Sequence, residues 1–213
     1  MKSISDIRKE YKLKTLLESE IDADPIAQFS KWWDDVIHSD VAEPNAMTLA
    51  TSTKTGLPSA RIVLLKEFNE KGFVFFTNYK SRKGFELEEN PNACLVFFWK
   101  DLERQVRIDG TVEKIPAAES DAYFHSRPHE SQIGAWASEQ SKIISNREVL
   151  DERAIKFSSQ FSDNAVPRPE WWGGFIVRPH TIEFWQGRAG RMHDRILYSL
   201  EEERGWKIVR LSP

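Results

Sequence analysis

From residue 46 onward, much of the chain alternates between apolar and polar side chains in short runs that end at turn-forming residues. Successive side chains of a β-strand point to opposite faces, so this alternation is typical of strands with one buried face. Gly56 and Pro58 follow the first run, and the turn 69–72 ends at Gly72. The pattern predicts strands over 46–53, 59–68, 73–77, 93–99, 104–115, 174–177, 181–186 and 191–200, with 206–211 closing the chain.

Helical spacing is confined to a few segments that do not alternate with the strands. Pro25 opens a segment with apolar side chains at Ile26, Phe29, Trp32 and Trp33, which predicts a helix over 25–39. Further helices are predicted over 81–89, 116–126, 128–138 and 146–161. This order predicts a mainly β protein with flanking helices, an α+β chain built on a β-barrel or sandwich.

The sequence shows no internal boundary between large domains. Its 213 residues suit one domain, and we expect a single unit over 25–213 preceded by a charged segment, 1–24, that is either a short helix or an ordered arm. The longest strongly apolar run, 93–99, is far shorter than the roughly 20 residues that a membrane-spanning helix needs. With no apolar leader segment either, the chain is expected in the cytoplasm, away from membranes.

Charge and cysteine content exclude several classes of function. There are 30 basic and 33 acidic residues, a net charge of −3, which argues against a nucleic-acid partner because such binding needs a basic surplus. Cys94 is the one cysteine, so neither an internal disulfide nor a cysteine-rich zinc site is possible, and no metal site is expected. Its apolar surroundings predict an inert buried thiol.

Cationic side chains nevertheless concentrate in four places. Alternation along a strand would put Arg191, His193 and Arg195 on one face, where they repel one another unless something anionic or electron-rich lies opposite. The plainer interpretation is a solvated strand face. Arg61 and Lys66 flank an apolar strand segment, and residues 77–83 join a strand to a helix start, which suits a phosphate.

The fourth place is the predicted helix around Tyr123. Arg127 lies four residues further along and Ser131 follows Pro128, so a phenol, a guanidinium and a hydroxyl could converge on a second phosphate. Taken alone, each of these segments is explained as well by packing or by solvation. Phosphate-binding loops, glycine-rich dinucleotide motifs and the common hydrolase motifs are absent from the sequence.

Taken in order, these segments resemble the pyridoxine (pyridoxamine) 5′-phosphate oxidase family over essentially the whole chain. The strongest match is Glu183-Phe184-Trp185-Gln186 followed, after four residues, by Arg191-Met192-His193-Asp194-Arg195. Other matches are 61–66, Ser81-Arg82-Lys83, Glu103-Arg104-Gln105-Val106, 123–128 and 131–136. The resemblance implies an FMN-binding split β-barrel that works as a homodimer, with two flavin sites at the subunit interface.

The resemblance also implies a role for each matching residue. The FMN-binding residues would be Arg61, Ile62, Val63, Leu64, Leu65, Lys66, Phe76, Thr77, Arg82, Lys83, Gln105, Gln140, Ser141, Trp185 and Arg195. The substrate-binding residues would be Arg8, Tyr11, Lys66, Tyr123, Arg127, Ser131, Arg191 and His193, the last two being the catalytic candidates. Phe76 stands where the family often has tyrosine, and Lys9 where a second arginine is expected.

The activity implied is the oxidation of pyridoxamine 5′-phosphate and pyridoxine 5′-phosphate to pyridoxal 5′-phosphate. Dioxygen would accept the electrons and become hydrogen peroxide, and the amine would leave as ammonia. Two separate cationic clusters on an overall acidic protein agree with this activity, because the cofactor and the substrate each carry a phosphate dianion that one cluster would bind. Three rivals remain open: a flavin oxidase acting on another ring, a non-enzymatic carrier of flavin or pyridoxal phosphate, and a barrel without a cofactor.

Overall fold

A single antiparallel sheet of nine strands dominates the computed structural model, which describes residues 3–6, 10–162, 164–201 and 204–213. The strands are β1 (Ala46–Ser52), β2 (Pro58–Leu64), β3 (Glu67–Asn69), β4 (Gly72–Asn78), β5 (Asn92–Trp99), β6 (Arg104–Lys114), β7 (Trp172–Gln186), β8 (Asp194–Glu201) and β9 (Gly205–Arg210). The helices are α1 (Pro25–Ile37), α2 (Arg82–Glu89), α3 (Ala117–Ser126), α4 (His129–Ala137) and α5 (Glu148–Gln160). The expectation of a mainly β chain with flanking helices is confirmed.

The sheet order is β2-β1-β5-β6-β7-β4-β3, and the long strand β7 pairs with two different strands, β4 and β8, along one of its edges. β7 pairs with β6 on one side along most of its length. On the other side its first half pairs with β4 and its second half, from Thr181, pairs with β8, which in turn pairs with β9. The strand therefore carries two separate sheet regions, one on each half.

Two predicted strands, 174–177 and 181–186, are one continuous strand, so that prediction was wrong. Pro179 suggested a break because proline cannot donate a ladder hydrogen bond. The structure accommodates it with a bulge, in which the register against β6 shifts between Asp109 and Gly110. A bulge leaves one residue unpaired without ending the strand.

The opposite error occurred at 59–68, which was predicted as one strand and is two. After β2 the backbone changes partner: Leu65 N–H donates to Asn45 (2.8 Å), and Lys66 N–H donates to Val74 on β4 (2.9 Å). Residues 62–65 form one apolar run across this crossing and residues 60–68 contain no glycine, proline, asparagine or aspartate, so the sequence pattern alone could not reveal it. The crossing places Lys66 between β2 and β4.

The predicted strand 191–200 begins late, at Asp194, so Arg191 and His193 do not share a strand face with Arg195 as predicted. Residues Ala189–Arg191 form a 3-10 turn in which Gly190 and Arg191 both have positive φ (63° and 62°). Such backbone angles are incompatible with an extended strand. Arg191 and His193 instead lie in the turn that leads into β8, where the charge of Arg191 acts on the His193 ring.

One hydrophobic core fills the concave side of the sheet and is closed by α1. Fully buried side chains include Phe29 and Val36 on α1 and Phe75, Phe97 and Phe184 on the strands. Helix α1 begins at Pro25 because the Asp24 carboxylate accepts hydrogen bonds from the N–H groups of Ile26 and Ala27.

A second, smaller core holds α3, α4 and α5 together. Phe124, Ile133, Phe161 and Val166 are buried in it, and Trp172 at the start of β7 joins it to the sheet. Because α3 and α4 pack here and not in the barrel, a space remains between these helices and the strands β2 and β4.

The N-terminal segment is an ordered arm where it is described, and residues 10–24 contain no helix. Leu16 is buried, its N–H donates to the Asp194 carboxylate (3.1 Å), and Arg210 forms an ion pair with Glu18 (2.6 Å). The arm therefore lies against the start of β8 and the end of β9. Arg8, a predicted substrate residue, lies outside the described residues.

Candidate functional site

An open cleft of about 1000 Å³ lies between the strands β2 and β4, the N-terminus of α2 and the helices α3 and α4. Fourteen of the residues implied by the resemblance line it: Arg61, Ile62, Val63, Leu64, Lys66, Phe76, Thr77, Arg82, Lys83, Tyr123, Arg127, Ser131, Gln140 and Ser141. Leu65 does not, because its side chain points into the barrel core and is 4% exposed. Segments far apart in sequence therefore converge on one space.

One end of the cleft, here called the phosphate end, is built around Lys83 in the first turn of α2. Lys83 Nζ donates to Gln140 Oε1 (2.9 Å) and Thr77 Oγ1 (3.1 Å), which are both uncharged. Burial, together with the nearby Arg61 and only partly offset by Glu86, lowers the pKa of Lys83 to about 8. A buried ammonium with neutral partners is the kind of group that a bound anion would stabilise.

Arg61 and Arg82 stand beside Lys83 and are fixed by a single carboxylate. Glu86, on the same helix, accepts from Arg61 Nη2 (2.9 Å) and Arg82 Nε (2.8 Å) and is almost fully buried. Three cations thus meet one anion at this end, which leaves a local surplus of positive charge. Sequence reasoning missed Glu86, although its spacing of four residues from Arg82 on a predicted helix was a usable signal.

Arg127 marks the other end of the cleft. Its guanidinium lies over the Trp172 ring, 4.5 Å from the ring centroid, which is a cation–π arrangement. Its Nη1 is buried with no hydrogen-bond partner among the described residues, and burial lowers the pKa of the group. An orphaned guanidinium nitrogen facing a cleft fits an anionic ligand group.

Aromatic rings also line the cleft. Phe76 on β4 stacks on Tyr123 of α3 at 3.9 Å between ring centroids, and Lys66 Nζ lies 6.0 Å from the Tyr123 centroid. The phenylalanine that replaces a frequent tyrosine therefore serves as a packing surface. The lining of the cleft therefore combines cations of β2 and α2, aromatic rings, and Arg127 with the Ser131 hydroxyl.

The remaining predicted residues form a second cluster on the outer face of β6, β7 and β8. Gln105 pairs with Trp185, and Trp185 pairs with Arg195, so these three side chains lie side by side across neighbouring strands. Arg195 is held by two hydrogen bonds to the Glu183 carboxylate (2.7 and 3.1 Å). Among the described residues that line the cleft, none belongs to this second cluster.

His193 joins the second cluster through its ring contacts. Its centroid is 4.6 Å from that of Trp185 and 6.0 Å from that of Tyr11, while Tyr11 also meets Trp185 edge-on. Burial and the neighbouring charge of Arg191 lower the pKa of His193, so the imidazole is neutral at pH 7. Arg188 N–H donates to Nδ1 (3.1 Å), which places the ring hydrogen on Nε2 and makes that nitrogen a donor.

The geometry narrows the roles that Arg191 and His193 can play. An arginine is protonated at any working pH, and a neutral imidazole with hydrogen on Nε2 donates from that atom. Both groups are therefore suited to orienting an oxygen or nitrogen by hydrogen bonding. Neither presents a free basic atom in this arrangement.

Other chemistries find less support in the structure. Burial raises the pKa of Cys94 to about 12, and Asp109 adds to the shift, so the thiol is a poor nucleophile, although it is half-buried and not buried as predicted. Across the described ranges, no three histidine, cysteine, aspartate or glutamate side chains converge enough to hold a metal ion. None of the described helices combines the length and apolarity needed to cross a membrane.

Comparison with known proteins gives consistent matches over the chain. The family model described as pyridoxamine 5′-phosphate oxidase matches residues 34–160, and the model of the pyridoxine 5′-phosphate oxidase C-terminal dimerisation region matches residues 172–213. A pyridoxine/pyridoxamine 5′-phosphate oxidase of Trichormus variabilis is 56% identical, covering 100% of this chain and 99% of its own. One from Cupriavidus pinatubonensis is 54% identical, with complete coverage of both chains.

Solved structures show the same fold. PhzG from Burkholderia lata 383, crystallised with tetrahydrophenazine-1-carboxylic acid, superposes with a TM-score of 0.88 at 29% identity and covers 94% of this chain and 99% of its own. A pyridoxamine 5′-phosphate oxidase-related, FMN-binding protein of Nostoc punctiforme has a TM-score of 0.67 at 15% identity, covering 85% and 97%. The expected FMN-binding split-barrel fold is confirmed.

Proposed function

The chain belongs to the pyridoxine/pyridoxamine 5′-phosphate oxidase family, and we propose that it binds FMN and oxidises pyridoxamine 5′-phosphate and pyridoxine 5′-phosphate to pyridoxal 5′-phosphate. With the amine substrate, water and dioxygen would be consumed, and ammonia and hydrogen peroxide released. With the alcohol, dioxygen alone would be consumed. The observation that carries this proposal is the cleft with two separate cationic ends, because cofactor and substrate each bring a phosphate.

The phosphate end fits the FMN phosphate. Lys83, Arg61 and Arg82 supply the positive charge, and Thr77, Gln140 and Ser141 line the same end as polar partners. The buried, weakly compensated charge of Lys83 is the feature that a phosphate dianion would correct. The backbone of β2 would run along the flavin, with Phe76 among the apolar side chains near it.

The residues of the second cluster reach such a flavin only from another copy of the chain. Gln105, Trp185 and Arg195 lie on the outer face of β6–β8, apart from the cleft that holds the other flavin residues. A homodimer would bring the second cluster of one copy over the cleft of its partner and so form two equivalent sites. The match of residues 172–213 to a dimerisation region supports this arrangement.

Arg127 would bind the substrate phosphate together with Lys66, Tyr123 and Ser131. Its orphaned Nη1 can donate to a phosphate oxygen, and its stacking on Trp172 fixes the guanidinium plane. A phosphate held at this end sets the position of the substrate ring along the cleft. This favours a phosphorylated substrate over the carboxylic acid bound in the PhzG crystal.

FMN, when bound, supplies the hydride acceptor and its reoxidation by dioxygen. The protein contributes placement and charge. His193 would donate from Nε2 and Arg191 from its guanidinium to the amine or hydroxyl group of the substrate, which orients the carbon to be oxidised. Glu183 accepts from Arg195 Nε and Nη2 and the Ser212 carbonyl accepts from Nη1, so the guanidinium would be held in place beside a flavin bound by the partner copy.

Product analysis tests the proposal. Purified protein loaded with FMN is incubated with pyridoxamine 5′-phosphate, and pyridoxal 5′-phosphate, ammonia and hydrogen peroxide are quantified. We expect equal amounts of all three, and much slower conversion of unphosphorylated pyridoxamine. Tight flavin binding without turnover of either phosphorylated substrate would favour the carrier interpretation, and oxidation of an unphosphorylated ring would favour the rival oxidase.

The lowered pKa of Lys83 gives a prediction for FMN binding. A bound phosphate dianion favours the charged ammonium, so binding above pH 8 must be accompanied by proton uptake. We expect the dissociation constant of FMN to rise about tenfold between pH 7.5 and 9.5, measured by fluorescence titration of apoprotein. Lys83→Arg is the matched control, because arginine stays charged and its affinity should stay nearly flat. An equal rise in both proteins would contradict the role of Lys83.

A further inference from the structure

Glu103 opens one of the matching motifs, but its contacts are not explained by the proposed site. It follows the 3-10 turn Lys100–Leu102, it is 2% exposed, and its backbone is left-handed (φ 54°, ψ 39°), a conformation that costs energy for a residue with a side chain. Its carboxylate Oε2 accepts hydrogen bonds from the N–H groups of Lys12 (2.8 Å) and Leu13 (3.1 Å).

The backbone of Glu103 ties a second segment to the same point. Its carbonyl accepts from Gly187 N–H (2.7 Å) and from Gln186 Nε2 (3.1 Å), so it fixes the end of β7. The Glu103 side chain therefore binds the N-terminal arm, and the Glu103 main chain binds the Gly187 backbone.

Tyr11 lies at the place where these two segments meet. It directly precedes the two N–H donors, and its ring packs over Gly187, where a Cβ atom would come within 2.7 Å of Tyr11 Cγ. The ring also contacts Trp185 and His193 edge-on. Glycine at 187 is thus needed for the close approach of the Tyr11 ring to the backbone. Glu103 holds the arm in the position where this contact forms.

We propose that Glu103 is a positioning residue, a latch that holds the arm so that Tyr11 covers the His193 side of the site. Asp194 provides a second attachment further along, through Leu16 N–H, so the stretch between the two carboxylates is fixed at both ends. The inference rests on the proposed function, because Tyr11 matters to catalysis only if His193 faces substrate. The latch itself concerns the arm alone and can be measured without turnover.

Two variants break the latch from opposite sides. Glu103→Gly removes the carboxylate at a left-handed position that glycine adopts freely, and Leu13→Pro removes one N–H donor. Leu13→Ala is the matched control, since it keeps the N–H and alters only an exposed side chain. Glu103→Gln retains an acceptor oxygen, so the arm should stay partly attached in this variant.

Two readouts are taken on the FMN-loaded dimer. Limited trypsin digestion reports cleavage after Lys14, in the exposed part of the arm, and steady-state kinetics report KM and kcat for pyridoxamine 5′-phosphate. For Glu103→Gly and Leu13→Pro we expect cleavage at least several-fold faster and KM about tenfold higher, with kcat and FMN content nearly unchanged. Adding Tyr11→Ala to Leu13→Pro should raise KM little further, because both changes remove the same contact.

Two results would overturn the proposal. The first is a cleavage rate and a KM that are equal in Leu13→Pro and Leu13→Ala. The second is faster cleavage of Leu13→Pro and Glu103→Gly with an unchanged KM, which would mean that the latch only stabilises the arm. A wild-type protein that binds FMN but oxidises neither phosphorylated substrate would instead overturn the proposed function, and the cleavage rates would still report whether the latch exists.

Discussion

Replacing His193 with alanine is expected to lower turnover per bound flavin by about a hundredfold or more. The reason is the loss of a neutral imidazole that is held by Arg188 N–H and packed between Trp185 and Tyr11. The measurement is kcat for pyridoxamine 5′-phosphate, normalised to FMN content from the visible spectrum. Arg191→Ala should have a similar effect through loss of the second orienting donor.

The matched control for this prediction is His38→Ala. His38 lies at the exposed end of α1, where its Nδ1 contacts the Asp34 carbonyl, far in sequence from both clusters. The His38→Ala variant should retain wild-type turnover. If His193→Ala loses FMN while turnover per remaining flavin stays normal, His193 supports cofactor binding and the orienting role is wrong.

His193 also sets the lower pH limit of the activity. Burial and Arg191 lower the pKa of His193, so the neutral form persists below histidine's ordinary value of about 6.5. As pH falls through the lowered pKa, Nδ1 is protonated and can no longer accept from Arg188 N–H, and the stability that this neutral form contributes is lost in the same range. We expect kcat to decline at a pH below 6.5 in the wild type, and this limb to be missing from the residual activity of His193→Ala.

Arg127→Met is expected to raise KM for both phosphorylated substrates by about 10- to 150-fold, which corresponds to about 1.5–3 kcal/mol for a charge-assisted hydrogen bond. Methionine keeps an apolar stem over Trp172 while removing the guanidinium, so the second core should remain packed. Steady-state kinetics at saturating FMN measure the effect. KM for unphosphorylated pyridoxamine should change little, because that substrate never used the contact.

Arg147→Ala is the control for a general loss of positive charge. Arg147 is exposed and pairs only with Asp151 one helical turn away, as far as the described residues show, so KM should stay unchanged. A normal KM in Arg127→Met would refute the assignment of this end of the cleft to the substrate phosphate. The assignment of the phosphate end to FMN would be unaffected.

The sequence allowed the strand-rich architecture to be predicted because alternation and turn residues are local signals. It failed at two places: β2 and β3 were predicted as one strand because an apolar run spans the point where the backbone changes partner, and β7, which contains Pro179, was predicted as two strands. Arg191 was misplaced on a strand face because positive φ at a residue other than glycine leaves no mark in the sequence.

The cleft residues were found through resemblance more than through local physics. Lys83 and Arg127 are both cations that, among the described residues, have no hydrogen-bonded carboxylate, and their surroundings include Gln140 and Trp172, more than forty residues away. Glu86 was not named at all, and Glu183 and Glu103 were named only as parts of matching motifs without a role, since a carboxylate that positions another group looks like any surface charge until its partners are known. Nor could alternation reveal that the site residues divide between two surfaces.

The oxidase activity is best examined through the visible spectrum of the purified protein during anaerobic addition of pyridoxamine 5′-phosphate. We expect a yellow protein whose flavin band bleaches with about one equivalent of substrate per chain, with release of pyridoxal 5′-phosphate, and recovers in air. A protein that takes up no FMN, or a flavin band that stays unchanged with both phosphorylated substrates, would contradict it.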